Sequence, residues 1–80
     1  MSKAVEEVLS AWSDAERVLE VLPPIGRDHE DVAIAVARLR ATYHSLTGGS
    51  QASVAAIAAS HLTVEDTRAL LASLRKRPSL

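Results

Sequence analysis

Eighty residues without a cysteine rule out disulfides and cysteine-ligated metal, and a chain this short buries only about 60–65% of its unfolded surface. The formal net charge of −1 conceals a split, because residues 1–31 carry three basic and eight acidic side chains whereas residues 32–80 carry six and two. The longest apolar runs, VAIAVA and VAAIAA, are six residues each, far from the roughly 20 needed to cross a bilayer, and the start MSKAVEEVLS has acids where a signal peptide needs an apolar centre.

One domain, 1–80, is therefore expected, in the cytoplasm and with no membrane partner. A small scaffold without disulfides or metal leans on regular helix packing or on self-association. Residues 3–22 place Val5, Val8, Trp12, Ala15, Leu19 and Leu22 at spacings of 3, 4, 3, 4 and 3, one apolar stripe at heptad period. Ser2 is a suitable N-cap. Pro23 and Pro24 stop the helix, since proline lacks an amide hydrogen and its ring clashes with the preceding turn.

The second helix is expected over 28–47, capped by Asp28, with His29, Glu30 and Asp31 in its first turn, where carboxylates complement the positive helix end. Its stripe is Val32, Val36, Leu39, Tyr43 and Leu46, and Gly48 is expected to end it in the left-handed conformation. Ser50 then caps a third helix, about 50–61, with Val54, Ile57 and Ala58 facing inward. Thr63 opens a fourth, about 64–76, with Asp66 at capping-box spacing and Leu70, Leu71 and Leu74 on its inner face. His61 reads as a residue at the C-terminus of the third helix. The basic triplet Arg75–Lys76–Arg77 lies at a negative helix end and the acidic clusters at positive ends, so macrodipole complementation accounts for much of the charge split. The fold class expected is all-α, a small up-and-down antiparallel bundle of four helices with shallow crossing angles.

One feature does not fit a single inward stripe. Ile34, Ala37 and Ala41 lie on the far side of the second helix from Val36 and Tyr43, and residues 32–37 are apolar all round. Either the fourth helix covers that strip or it is a docking surface; its alanines admit a close-packed helix.

Conventional enzyme chemistry finds little support. His29, His44 and His61 have no second histidine or cysteine at metal-ligand spacing, there is no HExxH, and TGGS lacks the lysine and the preceding strand of a phosphate loop. No cofactor and no metal site is expected. His44 is different in kind: it points largely to solvent beside Ile34, Ala37 and Ala41, the placement a phosphoryl relay requires. The segment YHSLTGGS, through His44, Leu46, Gly48, Gly49 and Ser50, resembles the phosphoacceptor segment of histidine phosphotransfer domains, whose pattern is His-x-Leu-Lys-Gly followed by small residues. That resemblance implies a helical bundle with His44 taking a phosphoryl group from a receiver domain, Leu46 packing inward, and Gly48 leaving room for the partner. Thr47 stands where the family has a lysine, and Tyr43 where a small residue is usual.

Residues 53–77 also loosely resemble a helix-turn-helix, with Arg68, Arg75, Lys76 and Arg77 supplying positive charge for nucleic acid. Glu65 and Asp66 at the start of the would-be recognition helix, and a pI of 6.3, oppose it. The sequence thus points first to a non-catalytic protein–protein interaction module, a homo-oligomer or the dock for a partner helix. Its partner-binding residues are Ile34, Ala37, Ala41 and His44. A phosphorelay carrier and a DNA binder stand behind it.

Overall fold

The computed structural model describes residues 3–48 and 53–76. Among them every regular element is a helix: α1 over Lys3–Val21, α2 over Arg27–Thr47 and α3 over Val54–Lys76. None of the three is long and apolar enough to cross a membrane. Each helix packs against both others, and the molecule is a rod of 48 × 20 × 18 Å.

The expected bundle of four helices is corrected to three. The break placed between 61 and 64 does not exist, because the hydroxyls read there as a cap bond backwards within one helix. Thr63 Oγ1 donates to the Ala59 carbonyl at 3.1 Å, and Thr67 Oγ1 to the Thr63 carbonyl at 2.9 Å. A threonine can cap a helix or fold onto the preceding turn, and with neither glycine nor proline between 54 and 76 nothing obliges the chain to stop. His61 is accordingly inside a helix rather than at its end. The cap lies earlier, at Ser53, whose Oγ accepts the Ala56 amide at 3.0 Å. Ser50 and Ser2 fall outside the described residues.

Both ends of α2 also differ from expectation. Asp28 sits within the first turn, and the N-cap is Gly26, at φ 128° and ψ 169°, whose carbonyl accepts the Glu30 amide at 3.2 Å. That backbone region is open essentially to glycine alone. Gly48 is not left-handed: its φ is −92° and ψ 81°, and its amide donates to the His44 carbonyl at 2.8 Å. Close approach explains the glycine instead, since a Cβ there would lie 2.7 Å from the His44 oxygen.

The two main stripes pack as their spacing requires. Val8, Ala11 and Ala15 of α1 meet Val32, Val36 and Leu39 of α2 in the buried cluster, and Val64 and Leu71 close it from α3. Trp12 and Tyr43 lie at its edge, their ring centroids 5.9 Å apart and tilted by 59°, a favoured aromatic arrangement. The indole nitrogen of Trp12 donates outward to Glu16 Oε1 at 3.1 Å. The inward face of α3 is Ser60, Val64, Thr67 and Leu71. Both buried hydroxyls are satisfied within the helix, Ser60 on the Ile57 carbonyl at 2.6 Å. Val54, Ile57 and Ala58, expected inside, are exposed. Their phase was set by a separate short helix; in one continuous helix Ser60, Val64, Thr67 and Leu71 set it, which puts Val54 and Ala58 on the outer side.

Candidate functional site

The strip singled out on α2 is open to solvent. Ile34 is 52% exposed, and Ala37, Ala41 and His44 are exposed with it. No part of α3 covers them, because α3 meets α2 through the face that carries Ala35 and Leu39, on the other side of the helix. His44 lies in the last turn. Its ring contacts the Tyr43 ring edge-on, centroids 5.9 Å apart, and its carbonyl holds the Gly48 amide.

The outer face of α1 shows what an idle helix surface looks like here. It exposes Lys3, Glu6, Ser10, Ser13, Glu16, Arg17 and Glu20, with one apolar residue, Val21, at its end. The outer face of α3 is not of that kind. Ala58, Leu62, Ala69 and Ala72 are exposed on one line of the helix, Leu62 by 63%, with Glu65 and Asp66 in its middle. Val54, 85% exposed, lies at its start. The sequence reading missed this second strip because it broke the helix at 62–63, which severs Leu62 from Ala69. The signal was the heptad spacing of 58, 62, 65, 69 and 72, visible once the helix is continuous.

Two side-chain pairs mark the flank of α3 that meets α1. His61 Nδ1 lies 3.4 Å from Glu7 Oε2, and Arg68 reaches Asp14 Oδ2 and Ser10 Oγ, each at 3.0 Å. The same order of pairs along both chains makes α1 and α3 parallel, in an up-down-up arrangement. Arg68, one of the cations read as nucleic-acid ligands, is therefore engaged with an acid on its own chain. Arg75 and Lys76 are exposed in the last turn of α3, where they and Arg17 line shallow clefts beside Asp14. Arg77 lies outside the described residues. Residues 54–76 hold no turn, so the two-helix geometry of a helix-turn-helix is absent there. No group of three or more metal-ligating side chains gathers among the described residues.

Comparison with family models, with curated proteins and with solved structures gives no significant match.

Proposed function

We propose that this chain is a small non-catalytic interaction module of the cytoplasm that docks a helical partner on the outer strip of α2. One observation supports the reading above the others. A chain whose α1 exterior is polar up to its last residue, Val21, leaves Ile34, Ala37 and Ala41 uncovered in a line on α2. Monomeric proteins seldom leave continuous apolar lines exposed without use. Alanine lets a partner backbone approach closely, Ile34 supplies the one large apolar contact, and His44 at the end of the line offers a polar rim.

The test is capture by the tagged full chain from its own cell extract, the wild type beside Ile34→Asp. The expected result is one or more proteins retained by the wild type and lost by the variant, with helicity by circular dichroism unchanged. Equal retention by both overturns the reading.

A phosphoryl-carrier reading rests on a separate observation, the exposure of the His44 ring four residues before Gly48. It predicts an acid-labile phosphoramidate on His44 after incubation with phosphorylated receiver domains. A His44→Gln variant labelled as well as the wild type refutes it, as does absence of label from the wild type across several receivers.

A further inference from the structure

Resting on the α2 reading, we infer that the partner is an acidic amphipathic helix of another protein, with leucines along one face and aspartates or glutamates on both flanks of that face. The charge around the strip carries this. Arg38 and Arg40 stand on either side of the line of Ile34, Ala37 and Ala41, about 160° apart round the helix. Both are exposed. Among the described residues neither guanidinium has an ion-pair or hydrogen-bond partner. Residues 32–47 contain no acid, so neither arginine meets a carboxylate three or four positions away along α2.

Macrodipole complementation, which accounts for cations at helix ends, does not reach this pair. Both lie in the middle third of Arg27–Thr47, and the dipole acts within the first and last turns. Two unpaired cations that bracket an apolar line fit the flanks of a helix seam, where charge sets partner choice and orientation. Opposite them an acidic helix is the complement.

The same arginines oppose self-pairing. With two α2 strips laid in register, parallel or antiparallel, four guanidinium groups gather at the middle of one seam. Repulsion of this kind is how a helix surface rejects a wrong partner. The α3 strip of a second copy offers no closed alternative. Each strip lies on the side of its own helix that faces away from the buried cluster, so the two look to opposite sides of the molecule. Pairing them leaves one strip of each kind open on every dimer and builds a chain without end.

The relief of the strip describes the partner's apolar face. Ala37 and Ala41 leave shallow sites for leucine side chains, and Ile34 calls for a small residue opposite it. Such a face repeats every three or four residues, as a coiled-coil seam does.

The experiment titrates the full chain into two fluorescein-labelled peptides of about three heptads. Both carry the same leucine-and-alanine seam; one is flanked by glutamate and the other by lysine. Fluorescence anisotropy should show the glutamate-flanked peptide bound at least about tenfold more tightly than the lysine-flanked one, with the preference shrinking as salt is added. Ile34→Asp should abolish binding of the glutamate-flanked peptide. Arg38→Glu/Arg40→Glu, at unchanged helicity, should reverse the preference. Equal binding of the two peptides overturns the inference, as does binding of neither at about 1 mM or a preference that the double arginine variant leaves intact. A wild type that sediments as a dimer dissociated by Ile34→Asp overturns it too. If the lysine-flanked peptide binds as well or better in an Ile34-dependent way, this inference fails and the α2 reading stands; if Ile34→Asp changes neither peptide binding nor capture from extract, both fail.

Discussion

Proline at position 65 tests the continuity of α3 without disturbing the core, because Glu65 is exposed. In a helix running through Val54–Lys76, the Glu65 amide donates to the carbonyl four residues earlier, that of His61. Glu65→Pro deletes that bond and drives the ring into the same carbonyl, at a cost of about 3 kcal/mol or more. Were a new helix to begin after Thr63, position 65 would lie in its first turn, where the amide has no partner within the helix and proline is tolerated. The two architectures therefore differ by about 3 kcal/mol at one surface residue. A domain of this size holds roughly 4–12 kcal/mol in total, and each kcal/mol moves its melting temperature by about 4–8 °C. Glu65→Pro should then melt roughly 12–24 °C below Glu65→Ala, the control that removes the charge and keeps the helix. Urea and thermal unfolding followed by far-ultraviolet circular dichroism measure this directly. A proline variant within about 1 kcal/mol of the alanine control would refute the single-helix account of α3.

Three further substitutions probe other joints of the fold. Gly26→Ala places a side chain at φ 128° and ψ 169° and should cost about 1–3 kcal/mol in urea titrations, although nothing lies within 4 Å of the added Cβ; a neutral result would show that α2 begins differently. Ser53→Ala removes the acceptor of the Ala56 amide and should cost about 0.5–2 kcal/mol, with Ser53→Asn restoring most of it. The Arg68–Asp14 pair is half exposed on both sides, so a double-mutant cycle with alanine should give only about 0.2–1 kcal/mol of coupling, falling further as salt is added. A coupling several times larger would mean that the pair is far less hydrated than its exposure indicates.

What the sequence made legible was the pair of long stripes. Val5, Val8, Trp12 and Ala15 against Val32, Val36 and Leu39 repeat every three or four residues with strong side-chain contrast, and α1 ends just before the prolines that were expected to stop it. Exposure of Ile34, Ala37 and Ala41 was one of two outcomes that periodicity allowed, and the packing of α3 decides it. The misreading of α3 has a specific cause. Ser60, Thr63 and Thr67 each carry a hydroxyl able to cap a helix start or to bond the turn behind it, and residue identity alone does not choose between those uses. Breaking the chain at 62–63 then hid the outer line of Ala58, Leu62, Ala69 and Ala72. Gly48 illustrates the same ambiguity in the backbone. Glycine suits a left-handed cap and a tight approach to a carbonyl equally well, and here the approach to His44 is the one realised.

The charged contacts between α1 and α3 recur every seven residues on both helices, Glu7 with His61 and Asp14 with Arg68, and Arg75 stands one heptad beyond Arg68. Sliding α3 by one heptad, about 10 Å, would bring Arg68 to Glu7 and Arg75 to Asp14 with opposite signs still facing. Electrostatics alone thus permits two alignments of these neighbours. Alignment is therefore imposed by the fit of Val64 and Leu71 among the buried side chains of α1 and α2. Trimming Val64 and Leu71 together to alanine would loosen that constraint and let a ladder of like pairs settle at more than one rung.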